Sequence, residues 1–401
     1  MLTKARQSPS SDFIQSIEAG IDYWQTRTRH LSPDTIIILD QQCQNLYRLV
    51  QFGLKLPQTW EGAATIALQA FDLVEQRGYW QEWILVMEQA IAGCTDENPR
   101  LKFRLLNRLG QLHRLNRQLS ASINIHQAAK TIAHQLGDEH LLARVYYNLS
   151  EAHLRRHEYD EAERYGVEAL SIFKNIEGEE KRVSAVLNAL GETARFRGDL
   201  AVAEKRLSQA VEISRTIGQS IYLVRFLNNL ALTLQAAEKF DEALWCLTDA
   251  AAVLETITSE FDKTMTQINL GLLHFKQKQW AEAEAAFRRA DSSFLQRSGH
   301  IYYRALIANN LGNTLLKQKR LTEAETYLRH AIQLWQQASD NLELANTLGS
   351  LAEVLVAQRQ VDSAIPLYNK AITLLQQFPD DAWARQLLKL FRAQRQALST
   401  G

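Results

Sequence analysis

The sequence predicts an all-α fold, a right-handed α-solenoid (superhelix) of about seven helix pairs with capping helices at both ends. Three observations predict it. Small residues recur with a period of about 40 positions, the apolar residues between them follow a helical spacing, and breakers are sparse, with 6 prolines and 17 glycines in 401 residues. One unit, residues 227–250, reads LNNLALTLQAAEKFDEALWCLTDA, a helix, a tight turn and a second helix. Two such helices cannot cover both of their apolar stripes, so neighbouring copies must stack to bury the remainder.

The first column of small residues lies in the first helix of each unit: Gly110, Ser150, Gly191, Ala231, Gly271, Gly312 and Ala352. A second column opens the second helix, at Ser122, Ala162, Ala203, Ala243, Ala283, Ala324 and Ala364, and a third follows at Ala129, Ala169, Ala210, Ala250, Ala290, Ala331 and Ala371. Helices approach closely only where side chains are small, so these columns mark the seam within each pair. A large residue sits at the inter-helix turn, namely Leu119, Tyr159, Leu200, Phe240, Trp280, Leu321 and Val361. Taken together, the three small columns, the bulky turn residue and His113, His153 and His274 in the first helices resemble the tetratricopeptide repeat over roughly residues 103–377. The units here exceed that family's basic length by about six residues. In this they are similar to kinesin light chains and to the sensor arms of signalling ATPases.

Along the chain, residues 1–60 read as an N-terminal helical cap. A helix runs from Asp12 to about His30, Ser32-Pro33-Asp34 stops it, and a second helix covers about Asp34–Leu56. Residues 61–98 read as a degenerate helix pair, with Phe71 where a small residue belongs and with Trp60, Trp80 and Trp83 supplying bulk instead of a close seam. Residues 99–379 hold the seven units. Their loops fall near Gly137-Asp138, Glu177–Glu180, Gly218-Gln219, Thr258–Glu260, Ser298-Gly299 and Ser339–Asn341. Residues 380–401 form a C-terminal capping helix that should shield the last repeat.

Composition narrows the function classes. With 45 basic and 45 acidic side chains the net charge is zero, which argues against bulk nucleic-acid binding. No stretch reaches membrane-span length without charges. Cys43, Cys94 and Cys246 are few, distant and odd in number, as expected of free thiols in the cytoplasm. The sequence holds no phosphate-cradling glycine loop, no CxxC, no HExxH and no GxSxG, so no enzyme, metal or cofactor is expected. His153 and His157 are four apart on one helix, but two histidines without further ligands hold zinc poorly.

The informative constellation lies on the first helices, which the resemblance places along a concave wall. Asn148, Asn229, Asn269 and Asn310 stand two residues before the small landmark, and Asn107, Asn188, Asn228 and Asn309 one residue earlier. A side-chain amide both donates and accepts, so a ladder of them either grips the backbone of an extended peptide or bonds to the neighbouring helix and organises stacking. Arg104, Arg144 and Arg225 lie one turn before the ladder position, and Arg108 replaces its asparagine in the first unit. Arginine forks pair with carboxylates, while Glu151 and Glu192 oppose that field. The sequence therefore reads as a non-enzymatic scaffold for a protein or peptide partner, acidic if the arginines face it. A ligand-responsive regulator that changes superhelix curvature and a self-assembling adaptor are the alternatives.

Overall fold

The computed structural model describes residues 9–29, 38–95, 97–257, 259–291, 295, 301–379 and 381–399. The expected stop at Ser32-Pro33-Asp34, the loop residues Thr258, Ser298 and Gly299, and Asp380 lie outside the described residues. Regular structure among the described residues is helical only. The chain divides into two compact units, residues 1–229 and 230–401.

The first unit opens with α1 (Ser11–Thr28), α2 (Cys43–Gly53), α3 (Trp60–Gln69), α4 (Phe71–Arg77) and α5 (Trp80–Ala92). Helix pairs follow as α6 (Pro99–Leu115) with α7 (Leu119–Leu136), α8 (Glu139–Arg155) with α9 (Tyr159–Phe173), and α10 (Glu180–Arg197) with α11 (Leu200–Thr216). Helix α12 (Ser220–Ala236) carries the division between the two units. The second continues through α13 (Phe240–Leu254), α14 (Glu260–Lys276), α15 (Trp280–Ala290), α16 (Ile301–Lys317), α17 (Leu321–Ala338), α18 (Asn341–Ala357), α19 (Val361–Leu375) and α20 (Ala382–Ser399).

The N-terminal helices form a core of their own. Ile17, Ile21 and Trp24 of α1 cluster with Leu46, Val50, Ile66, Trp83 and Met87, and the cluster runs on into Leu101, Leu105 and Leu109 of α6. The tryptophan is anchored as well as buried, since Trp83 Nε1 donates to the Ala67 carbonyl at 3.0 Å. The first helix of the degenerate pair is broken. Phe71 is buried in this core, α3 ends at Ala70, and a short α4 runs from Phe71 until Gly78 turns left-handed at φ +81°. A ring at the landmark position fills the space that a small residue would leave for a partner helix.

In the regular pairs the seam is close. A Cβ on Gly191 would lie 2.6 Å from Leu207, and one on Gly312 would lie 2.5 Å from Leu328. Serine fits the first two columns because its hydroxyl finds backbone: Ser122 Oγ donates to the Gly110 carbonyl at 2.8 Å and Ser150 Oγ to the Ala162 carbonyl at 2.6 Å. Each inter-helix turn is made by one left-handed residue seven positions after the landmark. These are Arg117, His157, Gly198, Glu238, Lys278, Lys319 and Arg359, with φ between 60° and 94°. The next amide then bonds back five residues, as Gln118 to His113 at 2.8 Å and Gln279 to His274 at 2.9 Å, closing the helix end.

At the far end of the second unit, α20 packs on α19. Phe391 is 2% exposed and sits where Gly349 has no side chain, with its ring 5.8 Å from that of Tyr368.

Candidate functional site: the arginine face of the first unit

First helices of successive pairs touch one another, α6 with α8 and α8 with α10, so they form one layer of the first unit. Side chains on that layer separate into two bands. Toward the C-terminal ends of the helices, charges are matched. Arg114 lies 3.3 Å from Glu151, and Arg155 makes two bonds to Glu192 at 3.2 and 3.3 Å. Glu151 and Glu192 are both buried and so are held as partners of these later arginines. They do not neutralise the earlier ones.

Toward the N-terminal ends, cations gather with less compensation. Arg104 and Arg108 stand on α6, Arg144 on α8 and Arg182 on α10. Arg108 stacks over the Phe71 ring at 4.0 Å and donates to Gln111 at 3.0 Å. Arg182 Nε lies 2.5 Å from Glu179. Arg144 packs 6.0 Å from the centre of the Phe103 ring and makes no ion pair among the described residues. Burial pulls its pKa down to about 10, the charges of Arg182, Arg108 and Arg104 add to the pull, and Glu179 only partly opposes them. Burial likewise lowers Arg108, against the attraction of Asp72 and Glu75 on α4. An anion placed here would relieve both the desolvation and the mutual repulsion.

Across from this cluster, Arg225 on α12 lies 3.8 Å from Glu75. Tyr222, one turn earlier, lies among the same groups. Burial raises its pKa, Glu75 and Asp72 raise it further, and Lys181 stands 4.9 Å from its ring. Arg104, Arg108, Arg144 and Arg225 thus share one neighbourhood in the first unit, as their recurrence on α6, α8 and α12 suggests. Asp72 and Glu75 are members that the repeat pattern does not single out, since α4 lies outside the regular pairs, and Arg182 and Tyr222 stand on α10 and α12 away from the column of Arg104, Arg144 and Arg225.

The asparagines are placed differently. Asn148 is 2% exposed; its Nδ2 donates to Asn107 Oδ1 at 2.7 Å and its Oδ1 accepts from Gln111 at 3.2 Å. Asn229 Nδ2 donates to Asn188 Oδ1 at 2.9 Å, and Asn188 in turn donates to Glu192 at 3.3 Å. These amides bridge successive first helices. Asn269 and Asn310 belong to the second unit, where Asn269 is buried and its carbonyl accepts from Gln235 at 3.4 Å, while Asn310 Nδ2 is buried without a hydrogen-bond partner. His153 shares a 2.6 Å hydrogen bond with Glu158 and stacks on Tyr165, and His157 bonds Tyr159 at 2.8 Å, so the two rings are engaged separately.

Helix pairs stacked through small residues, with their first helices in one layer, define an α-helical repeat array. The tetratricopeptide repeat family model matches residues 101–175, 143–216, 182–256 and 303–377, and a second model of that repeat matches 264–290. The chain belongs to the tetratricopeptide repeat family, and a protein-binding role in general terms comes with it. No curated protein matches it in sequence. Among solved structures it is similar to a Rap protein complexed with Competence and Sporulation Factor, at 13% identity and TM-score 0.64, covering 90% of this chain and 98% of that one. It is also similar to the apo form of the quorum sensor NprR from B. thuringiensis, at 15% identity and TM-score 0.53, covering 91% and 100%. A third is the signal transduction ATPase with a tetratricopeptide repeat sensor from Pyrococcus horikoshii, at 13% identity and TM-score 0.58, covering 96% of this chain and 56% of that one. At such identities the likeness is one of fold. No helix among the described residues is long and apolar enough to cross a membrane.

Proposed function

We propose that this chain is a non-enzymatic interaction protein that captures an acidic peptide segment, or a chain-terminal carboxylate, on the arginine face of its first unit. The observation that carries the reading is Arg144, a desolvated guanidinium surrounded by like charges and without an ion pair among the described residues. A protein bears that cost where a carboxylate is to be received, because bidentate pairing returns the solvation that burial removed. Arg104, Arg108 and Arg225 enlarge the field. Asn148 and Asn229 hold the first helices in register beneath the arginines, and their contribution to a bound backbone is indirect. Likeness to a quorum sensor and to a protein solved with a named factor supports a regulatory binding role. Cytoplasmic residence is part of the reading, since Cys43 and Cys246 are buried thiols outside any disulfide and burial pushes Cys43 up to about 12.

Selection of random peptides displayed against the full chain tests this. The expected result is enrichment of clustered Asp and Glu, or of a free C-terminus, that disappears with Arg144→Ala and weakens with Arg108→Ala. Enriched sequences without acidic bias, or binding that Arg144→Ala leaves intact, would sink it.

A further inference from the structure

We infer that α4 is an internal competitor for the arginine face, with Asp72 and Glu75 standing in for the carboxylates of a bound peptide. The inference rests on the proposed capture function and adds its regulation.

Three observations carry it. Helix α4 is the one piece of the degenerate pair that leaves the regular course of its helix, and its Glu75 reaches Arg225 on α12, three helix pairs further along the chain. Such a contact joins the first and last helices around the arginine layer, whereas most other ion pairs of this unit lie within one helix or between adjacent pairs. The same two carboxylates, Asp72 and Glu75, are those that attract Arg108, and Phe71 at the start of α4 is the ring on which Arg108 stacks. Finally, the contact is weak in form. At 3.8 Å the Glu75–Arg225 pair is an ion pair without a hydrogen bond, and both side chains keep about a third of their surface in water, 31% and 34%. A partly solvated pair of this kind contributes little to stability and exchanges readily for a better one. An acidic peptide that offers bidentate geometry to Arg108, Arg144 and Arg225 would displace the Asp72 and Glu75 carboxylates from the arginines, while Phe71, Leu73 and Val74 keep α4 seated in the core. Binding would then be coupled to loss of those ionic contacts, by the difference between the two sets.

The experiment uses the full chain and a fluorescein-labelled deca-glutamate peptide as probe. Titrations are run on the wild type, Glu75→Gln, Asp72→Asn with Glu75→Gln, and Glu168→Gln, which removes one exposed carboxylate from α9 as a control for general electrostatics. Removing the competitor should tighten binding about three- to ten-fold for the double variant and less for the single one, with Glu168→Gln unchanged. Hydrogen exchange supplies an independent sign. Saturating probe should accelerate exchange of the 71–78 amides in the wild type, because α4 loses its tie to α12, while amides of α8 slow. No gain in affinity for either α4 variant, a gain matched by Glu168→Gln, or slower exchange over 71–78 on adding probe overturns the inference. Arg144→Ala separates the two proposals: loss of probe binding there with no gain from the α4 variants leaves the capture reading standing and removes only the competitor.

Discussion

His126 is fully buried, and neither ring nitrogen has a hydrogen-bond partner. It stands sixteen positions after Gly110, where other pairs put Leu207, Leu247, Phe287, Leu328 and Tyr368, and its ring occupies the space a Cβ on Gly110 would need. A polar ring doing the packing of a leucine leaves two unsatisfied atoms. We predict that His126→Leu stabilises the first unit by roughly 1–3 kcal/mol, read as a higher urea midpoint. The effect should depend on pH. Burial, helped by Arg114 and His113, lowers the pKa of His126 from 6.5 to about 3, so below pH 6.5 the unfolded chain binds a proton that the folded chain refuses. Stability is lost as pH falls through that window, and the advantage of His126→Leu should grow by about 2 kcal/mol between pH 7 and pH 5. Parallel stability curves for the two proteins would refute the assignment. The turn residues allow a second test at this scale. Lys278 holds φ +60°, a conformation costing an L side chain about 1–2 kcal/mol, partly offset in glycine by the freedom it adds to the unfolded chain. Lys278→Gly should therefore gain about 0.5–1 kcal/mol and Gly198→Lys should lose a similar amount, both read from thermal melts.

At the scale of the helix pair, the seam decides stability. Gly312→Ala would place a methyl group 2.5 Å from Leu328 Cγ and 3.3 Å from the Ala324 carbonyl, so α16 and α17 must part or Leu328 must leave its rotamer. We expect a loss of about 1–3 kcal/mol with faster amide exchange over 301–338, and a variant as stable as wild type would show that the pair is looser than described. This seam was legible in the sequence because small size leaves few residue types to choose from, and Gly, Ala and Ser recur visibly. The residue that packs on it was not, because Leu, Phe, Tyr and His all serve. The left-handed turn position was hidden for a related reason: one glycine, Gly198, stands among arginine, lysine, glutamate and histidine, so no composition signal marks it. The break at Ala70 was also missed, since a helical apolar period continues across it and only the packing of Phe71 interrupts the helix. Of the proposed arginine face, the recurrence of Arg104, Arg144 and Arg225 was readable at one register, but the approach of Glu75 to Arg225 follows from how three helix pairs stack and leaves no local trace.

For the molecule as a whole, zero net charge conceals a division of charge by position, with Glu151 and Glu192 matched to Arg114 and Arg155 in one band of the first unit and Arg144 left without an ion pair among the described residues in another. Net charge therefore argues only against a polyanion partner in bulk and does not describe the face proposed to meet a carboxylate. Stability should be divided as well. In an array whose helix pairs contact mainly their neighbours, a local loss is felt nearby and fades with distance along the chain. Phe391→Ala removes the ring that covers Gly349 and packs beside Tyr368, at a cost of about 3–5 kcal/mol for a buried phenylalanine. Amide protection should fall across α18, α19 and α20 and stay unchanged in α6 through α9, whereas His126→Leu should raise protection in α6 and α7 and leave α18 to α20 as they were. Uniform loss of protection throughout the chain after Phe391→Ala would mean that the two compact units unfold as one, and the nearest-neighbour account of this array would have to be given up.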